Sequence, residues 1–304
     1  MSNKDIETDF DLEVKYGKNN PEVYPNKEKT ITDYILKNKE MGLLFATHST
    51  NNGIKAFRPD LGDTAVYNVN SGYFRSDEFN KRYNDGKTVL FAGCSVMYGE
   101  GHDLEDSLAH LIYQYLSKKE KLSGFFNISV GGSTGSQIIT SIFDYIEIYG
   151  NPDLIIFLLP PIERDMAYFF PGPQNKWEKE YRDIISDEEA RYDYKKHVAF
   201  FNGLYKMLYL YCKTNNIDLV SSSWGEFENS KFITPSEYGF EEMLQILYPD
   251  TYKRFDRKKI PKLIYDYCQL NPNKKYLIKA KDQMHQGVAW NHVFAKELIE
   301  IFDL

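Results

Sequence analysis

The spacing of hydrophobic positions divides the chain into segments of different period. Val89-Leu90-Phe91-Ala92 is a short apolar run entered from Thr88 and closed by Gly93, the pattern of a buried strand. Leu104, Leu108, Leu111, Ile112, Tyr115 and Leu116 then recur at helical spacing and predict a helix with one apolar face. Residues 124–128 read as a second strand. Ile138, Ile139, Ile142, Phe143, Ile146 and Tyr149 mark a second helix, stopped by Gly150-Asn151-Pro152. Residues 153–159 are the strongest strand, apolar on both faces as a central parallel strand should be. A third helix is predicted near residues 197–214 from Val198, Phe201, Tyr205, Leu208 and Cys212. A fourth strand follows over 218–222. Val293, Phe294, Leu298, Ile301 and Phe302 mark the final helix.

Strands that alternate with helices imply βαβ units, a mostly parallel sheet and helices on both of its faces. The expected fold is therefore a three-layer α/β/α sandwich of flavodoxin-like architecture over residues 86–304. Residues 1–85 are irregular in period and are expected to form an N-terminal extension packed on that core. Within them, residues 30–39 suggest a short helix and 65–69 a strand. Two stretches, 165–196 and 224–275, fit the alternation poorly. Both follow strand ends and are expected to stand over the carboxyl edge of the sheet as lids or walls.

Composition narrows the class. With 304 residues, 42% hydrophobic and 27% charged, the chain is long enough to bury a core without staples. Lys plus Arg total 37 against 44 Asp plus Glu, a net charge of −7, so the chain lacks the basic character of a nucleic-acid binder. No apolar run is long enough to span a bilayer and the N-terminus does not resemble a signal peptide, which predicts a cytoplasmic protein with no membrane partner. The three cysteines, Cys94, Cys212 and Cys268, are far apart and fit neither a disulfide framework nor a metal-ligand spacing. The 24 tyrosines suit a sugar- or protein-binding surface, or simply reflect base composition of the gene.

Three turns carry candidate chemistry. The first strand runs into Gly93-Cys94-Ser95-Val96-Met97-Tyr98-Gly99-Glu100-Gly101. A serine at the carboxyl end of a strand, just before a helix, carries its hydroxyl over the sheet edge beside unpaired backbone N–H groups. This is neither the Gly-x-Ser-x-Gly elbow nor a P-loop. The competing use of Ser95 is a helix cap. The second turn is Asn127-Ile128-Ser129-Val130-Gly131-Gly132-Ser133-Thr134, where paired glycines can offer bare N–H donors to an oxyanion or form an ordinary flexible turn. The third is Asp282-Gln283-Met284-His285, in which the aspartate can orient the histidine and leave its other nitrogen as a base.

Together these blocks resemble the SGNH (GDSL-like) hydrolase superfamily over roughly residues 89–304. Cys94 stands where the family usually has an acidic residue before the serine, Gly132 falls at its oxyanion glycine, and Asp282-x-x-His285 resembles its last block. Asn70-Ser71-Gly72-Tyr73-Phe74-Arg75 is similar to a stretch that precedes the serine in some members. One block departs. After the third strand the family usually has Gly-x-Asn-Asp, whereas this chain reads Pro160-Pro161-Ile162-Glu163-Arg164-Asp165. Arg164 is the candidate replacement donor, unless it pairs with Glu163 at the surface.

The resemblance implies a serine ester hydrolase that needs no metal or cofactor. Ser95 is the implied nucleophile, His285 its base and Asp282 the orienting carboxylate, with the N–H groups of Ser95 and Gly132 and the Arg164 side chain at the oxyanion. Its implied partner is an acylated small molecule or glycan, O-acetylated carbohydrate first. Trp177 and Trp224 are candidates to stack on a sugar face, with packing as the competing use. Alternatives are an O-acyltransferase using the same acyl-enzyme, or a glycan-binding protein with a decayed site. His102 lies near Ser95, but its spacing suggests no partner, and Cys94 is expected to face the core.

Overall fold

The computed structural model describes residues 46–50, 53–57, 67–72, 74–160, 188–224, 240–256, 258–281 and 285–304. Ahead of the core, β1 (Ala46–Thr50), β2 (Gly53–Phe57) and β3 (Tyr67–Val69) pair as an antiparallel sheet in that order. The helix expected at 30–39 lies outside the described residues.

The main sheet holds β4 (Val89–Ala92), β5 (Phe126–Asn127), β6 (Leu154–Leu159) and β7 (Asp218–Ser223). All neighbours are parallel and the spatial order is β5-β4-β6-β7. This order is the flavodoxin-like arrangement, in which ligands bind beyond the carboxyl ends of the strands where the winding reverses, between β4 and β6. The helices are α1 (Ser95–Tyr98), α2 (Leu108–Ser117), α3 (Gly135–Tyr149), α4 (Glu188–Thr214), α5 (Phe240–Leu247), α6 (Ile260–Leu270) and α7 (Val288–Phe302).

Strand alternation sorts the core into two apolar layers. Leu90, Ala92, Ile155, Phe157 and Leu219 face α3, α4 and α5. Val89, Phe91, Leu154, Ile156 and Val220 face α2, α6 and α7. Because successive side chains point to opposite faces, a strand covered on both sides must be apolar at every position. Strand β6, Leu-Ile-Ile-Phe-Leu-Leu, is buried throughout. Its sequence forces the three-layer α/β/α sandwich.

Local structure departs from periodicity where side chains intervene. The second strand is only two residues long, because Asn127 turns the chain: its Oδ1 accepts from the Ser129 N–H and its Nδ2 donates to the Met97 carbonyl. The helix expected from Leu104 begins as one 3₁₀ turn, Leu104–Asp106, and Ser107 is extended before α2 starts. Thr134 caps α3 with a reciprocal capping box to Gln137.

Part of the stretch 224–275, expected to wall the sheet edge, contributes to the core. Leu244, Tyr252 and Ile260 are fully buried, and Phe255 and Ile264 nearly so. Thr251 O accepts from Ser221 N, and Lys253 N donates to Ser221 O, so this segment runs alongside β7. Pro261 sits in the first turn of α6, where a missing N–H costs nothing. Residues 165–187 and 225–239 of the two expected walls lie outside the described residues, and residues 188–196 of the first begin α4. The segment before β4 is firmly attached: Phe74 and Phe79 are buried in the layer of α3.

Candidate active site at the carboxyl edge of the sheet

Strand β4 delivers Ser95 to the sheet edge through a turn held by apolar packing. Gly93 lies against α1, where an added Cβ would stand 2.5 Å from the Met97 Cβ. Cys94, not Ser95, is the N-cap of α1, and it makes no side-chain capping bond. Its thiol is fully buried and accepts the Trp224 indole N–H at 3.2 Å. Gly99 ends α1 at φ +81°, a conformation that other residues adopt only with strain. Ser95 is 3% exposed. Among the described residues its Oγ makes no hydrogen bond and its N–H finds no acceptor.

The second turn lies alongside. Ile128 N donates to Phe91 O and Val130 N to Gly93 O, which ties the turn to the end of β4. Gly132 is exposed, at φ +76°, and its N–H also finds no acceptor among the described residues. Gly131 is buried against the carboxylate of Glu100: a Cβ there would lie 1.9 Å from Glu100 Oε1.

The third turn closes between Lys279 and Gln286, which form an antiparallel bridge, and Ala280 N donates to His285 O. This turn is strapped to residues 100–103. His285 Nε2 stands 3.3 Å from Glu100 Oε2. Lys281 N donates to Gly101 O at 3.0 Å. His102 Nε2 meets Gln286 O at 2.7 Å. Lys281 Nζ pairs with Asp103 at 2.6 Å.

The strap is in turn fixed from the N-terminal segment. The buried Arg75 guanidinium donates to Gly99 O at 2.8 Å and His102 O at 2.9 Å. It also lies over the Tyr67 ring, and the Tyr67 hydroxyl accepts the Gly101 N–H at 2.7 Å. Burial lowers the Arg75 pKa, and the nearby Tyr98, Tyr67, Asp103 and Glu105 oppose that shift; a guanidinium remains a cation regardless. Burial likewise pushes His102 down to about 4, against the Gln286 carbonyl, which favours the proton. His102 is thus neutral near pH 7. A carbonyl can only accept, so Nε2 carries its hydrogen.

One carboxylate therefore gathers the three candidate turns. Glu100 receives His285, braces Gly131, and hangs from Ser95 through its own N–H, which donates to Ser95 O. Among the described residues no hydrogen bond joins Ser95 Oγ to His285. Asp282, Arg164 and Trp177 lie outside the described residues. Trp224, a candidate sugar platform, is 3% exposed in the apolar layer of α7. Its side chain is packed in that layer with the indole N–H on the Cys94 thiol, the packing use weighed for it. Among the described residues no cluster of three His, Cys, Asp or Glu side chains could hold a metal ion.

Glu100, Arg75 and the partner of His102 escape a motif-based reading. Glu100 carried one sequence signal, an acidic residue flanked by glycines five positions after Ser95. Arg75 lies in the Asn70 to Arg75 stretch already singled out. His102 could not be paired from spacing, since Gln286 is 184 residues away.

No family model matches the chain, and no curated protein matches it. Among solved structures it is similar to a protein described as lipolytic, of the G-D-S-L family, from Desulfitobacterium hafniense DCB-2. That likeness has a TM-score of 0.45 and 11% identity, over 71% of this chain and 99% of the other. It is also similar to a psychrotrophic esterase from Pseudoalteromonas sp. inhibited by monoethylphosphonate, with a TM-score of 0.43 and 13% identity over 72% and 100% of the two chains. A mutant acetyl-xylooligosaccharide esterase from Geobacillus gives a TM-score of 0.45 and 12% identity over 73% and 97%.

Proposed function

We propose that the protein is an SGNH-type serine hydrolase of O-acyl esters, with acetylated carbohydrate as its leading substrate class. The observation that carries the reading is the convergence of the Ser95, Gly131-Gly132 and His285 turns around Glu100, at the carboxyl edge of a parallel sheet. In this reading Ser95 Oγ attacks the ester carbonyl carbon as His285 takes its proton. The tetrahedral oxyanion accepts hydrogen bonds from the N–H groups of Ser95 and Gly132, both without acceptors among the described residues. The alkoxide leaves with the proton from His285. Water, deprotonated by the same imidazole, then releases the acid and restores Ser95. Asp282 orients His285, Arg164 takes the place of the missing asparagine at the oxyanion, and Trp177 contributes to the substrate wall. Hydrogen bonds between catalytic groups are often long or poorly aligned before substrate binds, and in this reading the Ser95–His285 bond forms when the ester is bound.

The arrangement of His285, with Nε2 turned to Glu100, favours one other reading: a glycan-binding protein with a decayed site. The same experiment separates the two. Wild-type protein should hydrolyse p-nitrophenyl acetate and acetylated oligosaccharides, and a fluorophosphonate should label Ser95 stoichiometrically. Ser95→Ala should abolish both with the fold intact. Retention of turnover in Ser95→Ala, or failure of the wild type to label, overturns the hydrolase reading. Oligosaccharide binding without turnover would establish the other.

A further inference from the structure

We infer that Glu100 is a positioning residue for His285, a carboxylate built into the sheet edge that holds the imidazole by Nε2 and stabilises its protonated form. The inference rests on the Ser95–His285 reading and adds to it a residue outside the Asp282-x-x-His285 block.

Three observations make Glu100 a constructed feature. It is 3% exposed, and a carboxylate removed from water must find donors or charge to remain in place. Its Oε1 packs against Gly131 in the space that a Cβ would otherwise take, so the glycine makes room for the carboxylate. Its own backbone is held on both sides: its N–H donates to Ser95 O, and the next N–H, of Gly101, donates to the Tyr67 hydroxyl. The remaining oxygen, Oε2, faces His285 Nε2 at 3.3 Å.

The consequence for chemistry follows from charge. When Ser95 attacks, the Oγ lone pair forms the new C–O bond and the Oγ proton moves to the other ring nitrogen of His285, Nδ1, so that the ring becomes a cation while Nε2 stays on Glu100. An opposite charge within about 4–6 Å favours the charged form of such a group. Three charged or titratable groups of the strap are engaged or neutral. Lys281 Nζ is on Asp103, Arg75 is on the Gly99 and His102 carbonyls, and His102 is neutral near pH 7. Asp282 stands three residues before His285 in the sequence.

The test compares Glu100→Gln, which removes the charge at constant shape, with Glu100→Asp, which keeps it. Glu100→Gln should lower kcat about tenfold with KM within about twofold, the pattern of a lost transition-state interaction. The acid limb of its kcat/KM profile should move to lower pH by about one unit, because the neighbouring charge that favoured the imidazolium is gone. Glu100→Asp should restore most of the pH shift. The readout independent of turnover is the titration midpoint of His285, followed by imidazole NMR in a Ser95→Ala background. It should fall in Glu100→Gln and recover in Glu100→Asp. If wild-type Ser95 labels with fluorophosphonate while Glu100→Gln keeps the wild-type profile and midpoint, the role of Glu100 is overturned and the hydrolase reading stands. If Glu100→Gln fails to fold, an unchanged midpoint in Glu100→Ala overturns it equally.

Discussion

The turn at Ser95 and the turn at His285 meet at one sheet edge but are held there by different forces. Around Ser95 the structure is apolar: Cys94 and Met97 are fully buried, Val96 nearly so, and every residue of β4 beneath them is buried. Around His285 it is polar. Lys281, His285 and Gln286 are half-buried, and the turn is tied by the Lys281 N–H, the His102–Gln286 bond and the Lys281–Asp103 pair. Apolar burial responds weakly to pH and salt, whereas hydrogen bonds to a titratable ring respond to pH and exposed ion pairs to salt. Ser95 is thus placed by the same packing that stabilises the fold. His285 is placed by contacts that can be altered without unfolding the protein.

The largest break in this contrast is Trp224→Ala. Trp224 backs Cys94 directly, so its loss opens a cavity behind the Ser95 turn. Removing a buried tryptophan typically costs ~3–5 kcal/mol. Urea unfolding should show a loss of that size, with KM for small esters little changed. A variant of unchanged stability with raised KM for oligosaccharides would restore the sugar-stacking role.

His102 tests the polar side. Its ordinary pKa near 6.5 falls to about 4 in the fold through burial, so between those values the unfolded chain binds more protons than the native one. Stability should therefore rise with pH across that window and be lost as pH falls through it. Between pH 7 and 4.5 the shift corresponds to roughly 2–3 kcal/mol, at ~1.4 kcal/mol per pKa unit. His102→Gln keeps a donor for the Gln286 carbonyl but removes the titration. The difference between wild type and His102→Gln in urea unfolding should change by that amount across the same range. Parallel curves would place the pH sensitivity of the strap elsewhere.

The same division explains what could be read from sequence. The continuous apolar run of β6 and the helical stripes of α2, α3 and α7 are responses to burial, and burial leaves a period in the sequence. The three-layer fold, its parallel sheet and the turn carrying Ser95 follow from those periods. Polar contacts leave no period. Arg75 reaches carbonyls 24 and 27 residues away, and Glu100 reaches a histidine from the far end of the chain; neither spacing repeats. The stretch 224–275 shows the same limit. Its helices are short and its prolines read as loop, yet Leu244, Tyr252 and Ile260 are inserted singly into the two layers. The hairpin of β1 and β2 leaves no period in the sequence because its strands, Ala-Thr-His-Ser-Thr and Gly-Ile-Lys-Ala-Phe, carry too few hydrophobic positions to show alternation.

The smallest effect is expected from Lys281→Ala, and it shows which part of the strap matters. The Lys281–Asp103 pair is short at 2.6 Å, but the Asp103 side chain is 55% exposed. Pairs of this kind contribute about 0.2–1 kcal/mol, because ordering two side chains in water offsets most of the attraction. The backbone bond from Lys281 N to Gly101 O survives the substitution, as do the contacts of His285 and Gln286. Thermal unfolding and ester turnover should therefore differ from wild type by less than about fivefold in equilibrium or rate terms. The residual difference should vanish in 1 M salt, where the screening length is about 3 Å. A loss as large as that of Glu100→Gln, persisting in high salt, would mean that the turn is positioned by its surface charge. The buried carboxylate would then be a passive neighbour of His285.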